Sequence, residues 1–156
     1  MSVIFDVLNT IHGFFGALWV GGALLNAIVK GKGKEVGMFF LLSSTVTIIT
    51  GIMIFSLLYL IPYQGNLFIV HAVLSQDLNV RARALLNLVG GAFGVLAFSG
   101  GIIMSKRSSL LREVGENSVL ALELKKSLER ISKLVASFLV ISVILMILAG
   151  SIAQSV

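Results

Sequence analysis

The chain of 156 residues is 57% hydrophobic and only 12% charged, which excludes an ordinary soluble domain and points to a bilayer protein. It has no cysteine, so disulfides, thiolate metal sites, iron–sulfur ligation and a cysteine nucleophile are excluded. The net charge of +5 does not indicate nucleic acid, because the basic residues lie beside apolar runs, where they orient membrane helices.

The first uncharged run is Val7–Val29, inside a predicted span of about 4–29. It exceeds the ~20 residues a helix needs to cross the hydrocarbon. A cleavable signal is not expected: Met1 to Asp6 has no basic residue, and the run is too long for a signal core. One histidine, His12, stands in this otherwise apolar, glycine-rich stretch. At 1.5 Å per residue it lies roughly 8 Å inside the start of the span. A buried imidazole there needs a hydrogen bond or a metal. A neighbouring hydroxyl, carbonyl or amide, such as the side chain of Asn9 or Asn87, would meet the first need; iron or copper would meet the second. Trp19 and the Phe14–Phe15 pair are core or lipid contacts, or the edge of a porphyrin site. Gly13, Ala17 and Gly21 form a row of small residues that suits close helix approach or a flat ligand.

The second span, about 36–61, includes Val36–Ile61 and a row of hydroxyls, Ser43, Thr47 and Thr50, with Gly51 beside it. Such a row bonds back to its own helix or lines a polar path. After Pro62 comes a shorter apolar piece, predicted as an outer helix at about 67–78, in which Phe68, His71 and Ser75 would share a face. His71 is the only other histidine, so a bis-histidine site made by this chain alone requires both. Arg81 and Arg83 sit at the mouth of the third span. They anchor the helix at the headgroups, or pair with an acidic ligand such as haem propionates or a phosphate.

The third span, about 82–105, includes Ala84–Ser105 and carries the small pairs Gly90/Gly94 and Ala97/Gly101. The fourth, about 133–154, includes Leu134–Val156. Upstream of it Leu120, Leu124, Leu128, Ile131 and Val135 recur at helical spacing, with Asn117 or Ser118 as the cap and Lys125, Lys126, Glu129 and Arg130 facing water. One long helix is predicted to rise from the cytoplasmic side into this span. Ten of the twelve basic residues fall in the connections after the first and third spans. By the positive-inside rule both termini are outside, and both histidines lie in the outer half. No Asp, Glu, Lys or Arg occurs within the four uncharged runs, which disfavours a proton-coupled pump or a charged ion filter.

Leu8–Gly22 (LNTIHGFFGALWVGG) and Leu86–Gly100 (LNLVGGAFGVLAFSG) agree at seven of fifteen positions at an offset of 78 residues. The predicted fold is therefore all-α: one domain over 1–156, a four-helix bundle of two helical hairpins in the same orientation, related by a pseudo-twofold axis along the membrane normal. His12 has Gly90 as its counterpart.

The stretch IHGFFGALWVGGALL, with His12, Trp19, Val20, Gly21 and Gly22, resembles the first helix of the CopD-like membrane domain and of its HemJ-type (protoporphyrinogen oxidase-type) relatives. Arg81 and Arg83 in LNVRARALLNLV resemble the basic start of a later helix in those families. The resemblance implies a bundle that binds b-type haem through His12, with porphyrinogen oxidation in HemJ-type members and copper handling in CopD-type members. This chain departs from multi-helix b cytochromes in having no histidine in spans two to four. Three functions follow as expectations. The first is a b-type haem protein of the cell membrane, with the haem near the outer leaflet, working in electron transfer or as an oxidoreductase on a small lipid-soluble substrate. Its site would draw on His12, His71, Arg81, Arg83, Trp19, Asn9 and Asn87, with His12 and His71 as the metal ligands. The second is a copper or small-solute transporter. The third is a non-catalytic assembly subunit whose glycine faces bind a membrane partner or a second copy. In each case the partner is the lipid bilayer and not nucleic acid.

Overall fold

The computed structural model describes residues 2–29, 34–59, 68–114 and 118–154. Among these residues the structure is entirely helical: α1 (Ser2–Val29), α2 (Lys34–Tyr59), α3 (Phe68–Val73), α4 (Leu78–Val114) and α5 (Val119–Gln154). Four of them, α1, α2, α4 and α5, are long and apolar enough to cross a membrane. This agrees with the spans read from the sequence and with an integral membrane protein. The 37 residues of α4 and 36 of α5 rise roughly 55 Å at 1.5 Å each. That is well beyond the ~30 Å of hydrocarbon, so both helices carry their charged turns past the apolar zone.

The long fourth spanning helix is present as the uninterrupted α5. Its start is set by Ser118, whose Oγ accepts the Ala121 N–H at 3.0 Å. This satisfies one of the donors that the first turn of a helix leaves unpaired. Asn117, the other expected cap, lies outside the described residues. Lys125, Lys126, Glu129 and Arg130 are exposed, as the spacing predicts.

The short helix expected on the outer side is shorter than the pattern predicts. Instead of running over 67–78, α3 ends at Val73, and Ser75 leaves the helical face that the pattern assigned to it. The reason is local. Ser75 Oγ accepts the Asp77 N–H at 3.1 Å, and Asp77 Oδ1 accepts the N–H groups of Asn79 and Val80 at 2.8 and 3.3 Å. Asp77 thus caps α4, and two short polar side chains out-compete continuation of α3. The Leu67 end of that prediction, Pro62, and the basic residues Lys30 and Lys32 all fall outside the described residues.

Helix α1 packs chiefly on α2, and α4 on α5, with lighter contacts of α1 on α5 and α2 on α4; α3 lies against α4. All four long helices meet around Trp19. Its indole is 2% exposed and packs with Ala23, Ala97, Val135 and Leu139, while Phe40, Ile48 and Phe98 close the cluster. The ring meets Phe40 and Phe98 edge-on, with centroids at 6.3 and 6.5 Å. Edge-to-face contact is a favoured aromatic arrangement. Alanine at Ala97, 0% exposed, leaves the space that the indole fills.

The glycines set how closely the pairs approach. A Cβ at Gly100 would lie 2.5 Å from Val135 Cγ2, and one at Gly101 would lie 3.0 Å from Phe40 Cε1. Neither position admits alanine without movement. Glycines of α1 and α4 meet side chains of α2 and α5. Gly16 faces Thr47 as Gly94 faces Ser142, and Gly22 faces Phe40 as Gly100 faces Val135.

Candidate functional site

His12 is the only histidine within a described spanning helix. It is half-buried on α1, and its ring lies against α2. The Nδ1 atom is 3.0 Å from the carbonyl oxygen of Thr47 and 3.2 Å from Thr50 Oγ1. A carbonyl oxygen only accepts, so Nδ1 carries the proton and donates it. The Thr50 hydroxyl donates at 2.8 Å to the Val46 carbonyl, leaving its oxygen as a second acceptor beside the imidazole. The Nε2 atom is therefore the nitrogen that bears the lone pair in the neutral ring.

The imidazole reaches the α2 backbone because residue 51 is glycine. A Cβ there would stand 3.0 Å from His12 Cε1 and 3.4 Å from Nδ1. Gly51 is thus a notch in α2 shaped to the ring. The corresponding place in the other helix pair is filled the opposite way. Position 90, where His12 has its counterpart, is glycine, and a Cβ there would lie 3.4 Å from the side chains of Leu145 and Met146. In one pair the bulk is on the first helix and the gap on the second; in the other pair the two are exchanged. The polar link is exchanged as well: Ser142 Oγ on α5 donates to the Gly90 carbonyl on α4 at 2.7 Å.

The hydroxyl row of α2 bonds back to its own helix. Ser43 donates to the Phe40 carbonyl at 3.1 Å, Ser44 to Leu41 at 2.9 Å and Thr47 to Ser43 at 2.8 Å. Their buried hydroxyls are spent on backbone carbonyls, the first of the two roles the sequence left open.

The remaining candidate residues lie on α1, on α3 and on the start of α4, against which α3 packs. His71 is exposed on α3, Asn9 is exposed on α1, Arg81 is exposed and Arg83 half-buried near the start of α4, and Asn87 is half-buried one turn further on. Trp19 sits in the four-helix core, and its Nε1 is buried without a hydrogen-bond partner. The partners of the His12 ring are Thr47 and Thr50, neither of which was named for it from the sequence. The signal that could have found them is Gly51, an unexplained glycine ending a hydroxyl row. A shallow groove of about 300 Å³, largely open to the outside, lies between α1 and α5, lined by Leu24, Ala136, Ser137, Val140 and Ile141.

Haem at His12 can be tested against this donor set. An imidazole whose Nδ1–H is held by a backbone carbonyl is oriented as metal-bound histidines are. That much would let Nε2 of His12 hold a metal. A centre of three or more protein donors does not fit: among the described residues no three His, Asp or Glu side chains converge. The ring edge that faces α2 is also closed by Gly51.

Compared with family models, curated proteins and solved structures, the chain has no match.

Proposed function

We propose that this chain is a multi-pass protein of the cell membrane, with both termini outside and two like-oriented hairpins, that serves as a non-catalytic assembly subunit. In this reading His12 is a polar bolt between its own helices. The observation that carries the reading is the His12 Nδ1–Thr47 bond seated on the Gly51 notch. The one imidazole inside a span is used to hold α1 against α2. The basic connections support the orientation, and the sequence match at the 78-residue offset supports the hairpin arrangement. Further support comes from α1. A Cβ at Gly13 or Gly21 would meet nothing within 4 Å, and Ala17 between them is exposed, so this row is not consumed by packing within the chain.

A second reading is favoured by one specific feature, the tautomer. With Nδ1 donating, Nε2 is presented as a ligand would be, in line with the CopD-like and HemJ-like resemblance. His12 would then hold a b-type haem, with His71 or an open position opposite and Arg81 and Arg83 toward its propionates. When bound, the haem would supply one-electron chemistry for electron transfer or oxidation of a small lipid-soluble substrate. A copper ion is the alternative occupant of the same nitrogen.

One experiment separates these readings. The protein is purified in detergent after growth with haem precursor, and wild type and His12→Ala are compared by absorption spectrum, copper content and cross-linking in native membranes. The assembly reading expects no Soret band, no stoichiometric copper and a cross-linked species above the monomer. A Soret band lost in His12→Ala would replace it with the haem reading. Copper lost in His12→Ala would replace it with the copper reading, and monomer alone would overturn the assembly role.

A further inference from the structure

The groove between α1 and α5 continues a charged stripe on the same helix. On α5, Lys133, Ala136, Ser137, Val140 and Ile141 follow one another at spacings of three and four, so they lie on one face. The last four line the groove. Toward the N-terminal end of α5 the same stripe holds Lys126 and Arg130, both exposed. From Lys133 to Ile141 the helix rises roughly 12 Å. The opposite wall is Leu24, five residues before the end of α1, where the sequence turns basic at Lys30, Lys32 and Lys34. An apolar depression therefore ends beside the exposed cations of α5.

We propose that this groove binds one anionic phospholipid, with an acyl chain along Ala136 and Val140 and the phosphate at the level of Lys133 and Arg130. The choice of occupant rests on charge complementarity along a single helix face. A neutral lipid would match the apolar half only. The Ser137 hydroxyl does not put a polar atom into the slot, because it donates to the Lys133 carbonyl at 2.9 Å. Lys133 is paired with Glu129 at 3.0 Å, but the two side chains are 63% and 43% exposed. A solvent-exposed pair of this kind is weak, and a phosphate can draw the ammonium away from it. Lysine and arginine near a membrane surface each favour anionic lipid. The inference rests only on the chain lying in a bilayer and not on any role of His12.

The test is native mass spectrometry of the detergent-purified protein with equal amounts of phosphatidylglycerol and phosphatidylcholine bearing the same acyl chains. Wild type is expected to retain one phosphatidylglycerol in preference to phosphatidylcholine. The variant Arg130→Gln with Lys133→Gln, altered only at exposed positions, should lose about thirty-fold of that preference, about 2 kcal/mol at roughly 1 kcal/mol per cation. Ala136→Phe fills the slot and should release both lipids while helicity by circular dichroism is unchanged. If Ala136→Phe loses helicity, Val140→Trp on the exposed wall takes its place. Equal retention of the two lipids by wild type would overturn the proposal. So would a preference that survives the charge variant, or lipid retention that survives the filled groove.

Discussion

The notch at Gly51 makes a quantitative prediction about its coupling to His12. Gly51→Ala places a Cβ 3.0 Å from His12 Cε1, closer than such atoms pack, so the ring or the helix must shift. Overpacking of this kind costs about 1–3 kcal/mol. Replacing glycine with alanine in a helix interior returns up to about 1 kcal/mol. Gly51→Ala alone should therefore destabilise by roughly 0–2 kcal/mol. His12→Ala removes the bond to the Thr47 carbonyl and leaves a small gap. Side-chain hydrogen bonds between membrane helices average about 0.6 kcal/mol and reach about 1.7. In the His12→Ala background the steric conflict is gone, so Gly51→Ala there should be neutral or stabilising by up to about 1 kcal/mol. The coupling in the double-mutant cycle is thus about 1–3 kcal/mol. It can be read by reversible unfolding in mixed micelles, following helicity against denaturing detergent for all four proteins. Additive effects within about 0.5 kcal/mol would show that the ring does not sit on Gly51, and the polar bolt between α1 and α2 would fall with it.

Four further outcomes are expected in the same assay. Gly100→Ala should destabilise by about 1–3 kcal/mol, because its Cβ would lie 2.5 Å from a valine whose rotamer is fixed in a helix; in a Val135→Ala background, itself destabilised by the emptied core, the glycine change should cost nothing further. Gly13→Ala, which meets nothing within 4 Å, should be neutral or slightly stabilising; a loss as large as that of Gly100→Ala would contradict the outward placement of this face. Ser142→Ala removes the 2.7 Å bond to the Gly90 carbonyl and should cost about 0.6–1.7 kcal/mol, whereas Ser137→Ala at an exposed position should stay within about 0.5 kcal/mol. Ser118→Ala should cost about 1 kcal/mol through loss of the cap on α5, seen as faster amide exchange in the turn that follows.

The spanning helices were legible because apolar length is a one-dimensional property. Runs of uncharged residues beyond ~20 read as membrane helices without knowledge of their neighbours. The continuity of α5 was legible for a related reason: leucine at helical spacing carries straight through the charged turns. Apolar periodicity overruns the end of α3 because it carries no trace of Ser75 and Asp77, whose side chains bind backbone N–H groups and end one helix to begin the next. The partners of His12 were out of reach for a different reason. Which α2 residue faces position 12 depends on the register between two helices, and the deciding groups are a backbone carbonyl and an absent side chain. Neither has a residue-type signature. The sequence leaves Trp19 as a core or lipid contact or the edge of a porphyrin site. Its placement beside Ala97, its own counterpart at the 78-residue offset, required knowing that the two halves pack on each other.

That last pairing limits how the two halves can be recombined. A chain made by fusing two copies of the first half would bring two indoles to a centre with room for one. A fusion of two copies of the second half would put a pair of methyl groups there and leave a hollow. The same holds one layer away, where duplicate first halves would set two imidazoles in place and duplicate second halves none. Each half supplies what the other lacks, and neither can take the other's place.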